Sequence, residues 1–86
     1  MEIYRRKDIP WRIIDKEALV VNPKTSVIFP LNNTSCRIWQ LIDGARSAED
    51  LTKAMLEEFD IDEETLRFDV KNFISQLEKE GLIEKI

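Results

Sequence analysis

The chain has 86 residues, 43% of them hydrophobic and 35% charged, with two glycines and three prolines, a composition typical of one small globular domain. It contains no histidine and one cysteine, Cys36, which excludes an internal disulfide, a zinc site and histidine-based catalysis. The net charge of −4 is uneven, because residues 1–30 carry six basic and four acidic side chains whereas the remainder is acidic, and such charges are typical of a solvated surface.

The longest apolar runs have four residues, far below the roughly 20 that cross a bilayer. Residues 1–8 include basic side chains, but no apolar stretch follows them, so no signal peptide is predicted. We therefore expect a cytoplasmic protein that does not bind membranes. Its single domain spans residues 1–86, with residues 1–8 as a flexible N-terminal segment.

Three short runs rich in β-branched and aromatic residues predict strands at residues 11–14, 18–21 and 27–29. The polar residues 15–17 suit a hairpin, and Pro23 lies at the second position of a turn between the second and third strands. Strands joined this tightly predict an antiparallel meander. Because proline donates no ladder hydrogen bond, Pro30 after the run 27–29 predicts either that the third strand lies at a sheet edge or that it ends there.

A first helix is predicted after this strand. Asn32 or Asn33 caps it, and Gly44 is placed to terminate it in a left-handed conformation. Its apolar stripe contains Ile38, Leu41 and Ile42. Trp39, at the edge of the stripe, is predicted to be core, with an indole N–H that needs a partner if buried. Cys36 lies off the stripe, which favours an exposed position.

Two further helices follow. Ser47, with Asp50 three residues later, resembles a capping box and predicts a helix from Ala48. Asp62 caps the last helix, which ends at Gly81. The apolar side chains that form the core stripe of the last helix are Leu66, Val70, Phe73, Ile74 and Leu77. Phe68 falls on the opposite side, where either the N-terminal segment covers it or it belongs to a contact surface.

These elements predict an α+β, winged-helix-like fold, in which a three-stranded antiparallel meander precedes three helices. Winged helices often bind DNA, but residues 62–80 carry six acidic and three basic side chains. A phosphate backbone repels such a helix, so we expect no nucleic-acid binding.

No active site is predicted. Cys36 has neither a histidine nor a CxxC partner. The adjacent carboxylates at 57–58 and 63–64 lie on helices, where neighbouring side chains point about 100° apart, which is the wrong geometry for shared acid–base chemistry. We expect no enzymatic activity, no metal and no cofactor.

Two groups of residues resemble the PqqD family, which includes the pyrroloquinoline quinone biosynthesis protein D and the precursor-peptide recognition domains of ribosomally made, modified peptides. The first group is Leu31-Asn32, Ile38-Trp39, Leu41 and Asp43-Gly44; the second is Asp69-Val70, Phe73-Ile74, Leu77 and Gly81-Leu82-Ile83. The resemblance extends from about Ala18 to Ile83, with Ser35 standing where alanine is common. It implies a winged-helix-like chaperone that binds the leader segment of a precursor peptide and presents it to a modifying enzyme, often a radical S-adenosylmethionine enzyme.

The resemblance also implies a binding mode. In relatives the leader adds as a strand beside the third strand and lies against the last helix, which is β-augmentation. The peptide-binding residues implied here are Val27, Ile28, Phe29, Arg67, Val70, Lys71 and Ile74. Arg67 and Lys71 would pair with acidic leader residues, and Val70 and Ile74 would receive apolar ones. The alternatives are core packing for Val70 and Ile74 and a solvated surface for Arg67 and Lys71.

A function of another class also fits the sequence. The chain could be a structural interaction domain that forms a homodimer through its exposed strand and has no peptide ligand. A short open reading frame and a radical-enzyme gene beside its own gene would favour the peptide-binding interpretation.

Overall fold

The computed structural model describes residues 3–5 and 8–85, which form two antiparallel sheets and three helices. In chain order the elements are β1 (Ile3–Arg5), β2 (Trp11–Ile14), β3 (Glu17–Val21), β4 (Ile28–Leu31), α1 (Asn33–Leu41), β5 (Asp43–Arg46), α2 (Ala48–Glu58), α3 (Glu63–Lys79) and β6 (Ile83–Lys85). One sheet has the order β2-β3-β4 and the other β5-β1-β6. The predicted α+β fold, with a three-stranded meander followed by three helices, is confirmed.

The meander has one buried and one exposed face. Along β3, Ala18 and Val20 are buried, whereas Leu19 between them is exposed, because successive side chains of a strand point to opposite faces. Ile14 and Ile28 share the outer face with Leu19 and are also exposed, Ile28 at 56%. The inner face packs against the helices.

The bounds of β4 differ from the prediction. Val27 precedes the strand, because Ser26 has a φ of +62° and the Val27 N–H bonds the Thr25 hydroxyl at 3.4 Å within the turn. Pro30 lies inside the strand, where it pairs with Leu19. A proline is tolerated there because β4 is an edge strand.

The second sheet was not predicted. Ile3–Arg5, within the segment expected to be flexible, forms its central strand, and the Ile3 side chain is buried. The rest of that expectation, at residues 1, 2, 6 and 7, lies outside the described residues. Gly44 does not terminate α1, which ends at Leu41 with an extended Ile42 as its cap. With a φ of +89°, Gly44 instead lies in β5, where the pairing with β1 shifts register.

The three helix starts agree with the local sequence signals. Asn32 accepts a hydrogen bond from the Ser35 N–H at 2.9 Å, and Asp62 accepts one from the Thr65 N–H at 3.0 Å. Ser47 and Asp50 form the predicted capping box. Each cap satisfies a backbone N–H that has no partner within its helix.

The core is centred on Trp39, which is fully buried and contacts the Trp11 ring edge-to-face at a centroid distance of 6.1 Å. Its indole N–H finds no acceptor among the described residues. The position of Cys36 off the stripe favoured exposure, but the residue is buried at 3% exposure. α1 packs against α2 as well as against β3 and β4, so more than one stripe of it is covered. Phe68 is 65% exposed.

Candidate functional site

The free edge of β4 is the first component of the site. The Asn22 N–H bonds the Val27 carbonyl at 2.9 Å, whereas the Val21 N–H points away from β4, to the Pro10 carbonyl at 3.0 Å. Inward and outward backbone groups alternate along an antiparallel pair. The register therefore directs the backbone groups of Phe29 toward β3 and those of Ile28 and Pro30 toward the free edge.

Proline lacks an N–H, so this edge offers one donor, the Ile28 N–H, and two acceptors, the carbonyls of Ile28 and Pro30. The missing N–H of Pro30 would face the free edge, so the native sheet loses no hydrogen bond. The same missing N–H reduces the number of hydrogen bonds that an added strand can form along this edge.

A groove runs beside this edge, between β4 and α3, and we call it the β4–α3 groove. It encloses about 210 Å³, and its lining residues are Phe29, Pro30, Leu31, Ser35, Phe73, Gln76, Leu77, Glu80 and Leu82. Most of these side chains are apolar. The groove therefore provides an apolar surface next to free backbone hydrogen-bonding groups, the combination that strand addition requires.

Asn22 holds the two walls of the groove together. Its side-chain Nδ2 donates to the Glu80 carbonyl at the end of α3, at 3.1 Å. Its Oδ1 accepts from the Lys24 N–H at 3.0 Å and so shapes the turn that leads into β4. Asn22 is buried, so these bonds are shielded from water. The sequence signal for this residue was its place in an Asn-Pro turn, which did not reveal the contact with α3.

Arg67 and Lys71 lie on the opposite flank of α3. Both line a separate pocket of about 410 Å³ beside α2. Arg67 pairs with Glu49 of α2 at 3.2 Å and with Glu63 at 3.4 Å. At 100° per residue, Arg67 and Lys71 are more than 100° around the helix from Phe73, so they do not line the β4–α3 groove.

The residues implied as one peptide site thus fall into three places. Arg67 and Lys71 line the pocket beside α2. Ile28 and Phe29 lie at the β4 edge, with the exposed Val27 just before it. Val70 and Ile74 are buried in the core, as the packing alternative expects. Of the nine described residues that line the groove, only Phe29 was among the implied peptide-binding residues. Phe73 and Leu77 were recognised only as core residues.

A second free edge exists at β2. The cavity next to it encloses about 340 Å³ and is lined partly by charged side chains, among them Lys16, Arg37 and Glu58. Arg37 and Glu58 already pair at 2.8 Å. The lining of this cavity is therefore more polar than that of the groove beside β4.

The described residues contain no constellation for catalysis. Burial raises the pKa of the Cys36 thiol above its ordinary value, and the neighbouring Arg37 opposes this shift. The raised pKa disfavours the reactive thiolate. Within residues 3–5 and 8–85, no group of three or more potential ligands could hold a metal ion. In the same part of the chain, no helix has the length and apolar character of a membrane span.

Solved structures share this architecture. TbiB1 in complex with the TbiA(beta) leader peptide matches with a TM-score of 0.84 and 24% identity, covering 96% of each chain. Lasso peptide synthetase B1 complexed with the leader peptide has a TM-score of 0.82 and 18% identity, over 99% of this chain and 100% of that one. At these identities the matches establish the fold.

A third match is the PqqD truncation of Methylobacterium extorquens PqqCD, a stand-alone recognition element for ribosomally synthesized and post-translationally modified peptides (RiPPs). It has a TM-score of 0.76 and 14% identity, over 96% of this chain and 88% of that one. A comparison with curated proteins found no significant match. Residues 17–83 match the family described as coenzyme PQQ synthesis protein D, and this chain therefore belongs to the PqqD family.

Proposed function

We propose that this protein is a non-catalytic recognition module that binds the leader segment of a ribosomally made precursor peptide and presents it to a modifying enzyme. The observation that carries the proposal is the free edge of β4, which runs beside an apolar groove. Family membership and the likeness to two leader-peptide complexes support it.

The leader adds as a fourth strand next to β4. One N–H and two carbonyls allow about three main-chain hydrogen bonds, each with a net worth of about 0.5–1.5 kcal/mol. Their sum of about 1.5–4.5 kcal/mol falls short of the roughly 8.2 kcal/mol that a micromolar complex requires. Leader side chains in the groove must therefore contribute a large share of the affinity, through contact with Phe29, Phe73 and Leu77.

The binding residues in this proposal are Ile28 and Phe29 at the edge, with Val27 extending it, and Phe73, Gln76, Leu77 and Glu80 across the groove. Val70 and Ile74 support α3 from the core side. Arg67 and Lys71 face α2, so an acidic stretch of the leader would meet them only after leaving the groove.

The partner enzyme acts on the precursor peptide, and the family resemblance favours a radical S-adenosylmethionine enzyme in the cytoplasm. Homodimerisation through β4 is less favoured by the geometry. Two antiparallel copies paired about Ile28 would set Pro30 of each against Ser26 of the other. Pro30 has no N–H and the Ser26 N–H already bonds the Asn22 carbonyl at 2.7 Å, so only the two bonds between the Ile28 residues would form.

The proposal predicts which backbone amides respond to the leader encoded nearest to this gene. Titration of isotope-labelled protein should move the amide signals of Ile28, Phe29 and Leu31 and of residues 73–80. The signals of residues 49–53 in α2 should stay in place, because the groove lies on the other flank of α3. Movement confined to α2 and to Arg67 would contradict this site, and no movement at saturating leader would contradict leader binding itself.

A further inference from the structure

We infer that the β4–α3 groove selects a leader segment with a basic side chain two residues from an apolar one, and that Glu80 is the residue that recognises the charge. This inference rests on the proposed leader binding and specifies its chemistry. The inference assigns a basic leader residue to the β4–α3 groove. The sequence resemblance implied acidic leader residues, paired with Arg67 and Lys71.

The first argument is the charge of the groove lining. Among the nine described lining residues, Glu80 is the only charged one. Glu80 is half-buried and forms no ion pair within the described part of the chain. It also lines an adjoining cavity with Lys24 and Lys79, neither of which is paired with it. Other acids do have partners: Glu58 pairs with Arg37, Glu49 with Arg67, and Asp50 and Asp62 cap helices. An unpaired carboxylate that lines a ligand groove favours a cationic ligand group.

The second argument is the position of Glu80 at the end of α3, of which it is the C-terminal cap. Helix C-termini carry partial negative charge and favour cations. The Gln76 amide and the Ser35 hydroxyl line the same groove and are neutral hydrogen-bonding groups for an ammonium or guanidinium. The Glu80 carboxylate and the C-terminal end of α3 therefore both attract a positive charge.

The shape of long basic side chains suits this site. Lysine and arginine place their aliphatic stems on apolar surface while the charged end stays polar and hydrated. Leu77, about one turn before Glu80, and Phe73, about two turns before it, supply that surface. Because alternate side chains of an added strand point to one face, an apolar and a basic residue that both enter the groove are an even number of positions apart. Two positions, about 7 Å, is the spacing closest to the single turn that separates Leu77 from Glu80.

The test uses short random peptides displayed on phage and selected on three proteins: wild type, Glu80→Gln and Glu57→Gln. Glu57 is an exposed acid on α2 and does not line the groove, so Glu57→Gln is a control with the same change of net charge. Wild type and Glu57→Gln should enrich lysine or arginine two positions from an apolar residue. Glu80→Gln should retain the apolar residue and lose the basic enrichment.

The strongest selected peptide is then synthesised and titrated. We expect Glu80→Gln to bind it about 2–5-fold more weakly than wild type at low salt, with a smaller difference at high salt. Basic residues that are not enriched on wild type, or that remain enriched on Glu80→Gln, overturn the inference. In those cases peptides that still move the Ile28 amide leave leader binding standing. If no selected peptide moves it, leader binding at this groove is contradicted as well.

Discussion

Phe73 has a different role from the fully buried Leu66 of α3. The sequence placed it in the core stripe with Leu66 and Leu77, and it does pack against the core, but it is only partly buried and also lines the groove. Leu66 is fully buried and does not reach the groove. Substitution of Leu66 should therefore affect mainly the stability of the fold, and substitution of Phe73 mainly peptide binding.

We predict that Leu66→Ala destabilises the fold by about 2–5 kcal/mol, as for a buried leucine, whereas Phe73→Ala costs about 1–3 kcal/mol because its site is already open to solvent. Leader affinity should follow the opposite order, falling strongly for Phe73→Ala and little for folded Leu66→Ala. Denaturant unfolding and calorimetric titration measure the two quantities. A Phe73→Ala variant with unchanged affinity would remove Phe73 from the site.

At the scale of elements, the two flanks of α3 face different neighbours. Arg67 reaches α2, and Phe73 and Glu80 face β4. Periodicity identified the core stripe of α3 correctly, because burial repeats with the helical turn. It could not decide which neighbouring element each flank meets, since that depends on tertiary packing. The N-terminal caps of the helices were predictable for the opposite reason: the groups that form such a cap lie within three residues of each other. The terminator predicted at Gly44 was wrong, because Gly44 belongs to the long-range pairing of β5 with β1.

We predict that the combined neutralisation Arg67→Gln with Lys71→Gln changes leader affinity at the groove by less than about twofold. Both side chains lie away from the groove, and the ion pairs of Arg67 are half-exposed and weak, about 0–1 kcal/mol each. The melting temperature should therefore also stay close to that of wild type. A large, salt-dependent loss of affinity in this variant would show instead that the leader passes over the α2 flank.

At the scale of the whole molecule, the sheet β5-β1-β6 joins the start, middle and end of the described chain. Two of its strands have three residues each, too few to produce a recognisable alternation. These strands are far apart in sequence, so no local sequence pattern predicts that they pair. The meander was predictable because its strands are consecutive and joined by short turns, although the residue-level bounds of β4 depended on Ser26 and on the pairing of Pro30.

The central claim is that a leader pairs with the free edge of β4, and amide hydrogen exchange at Ile28 tests it most directly. In the free protein the Ile28 N–H faces outward and should exchange fast, whereas that of Phe29 is bonded to β3. With free leader at about 100 times Kd, exchange at Ile28 should slow by about 100-fold. Ile13, which the register turns toward the free edge of β2, is the matched control and should exchange unchanged. Protection of Ile13 instead, or no protection of Ile28 when the leader is bound, would contradict the account.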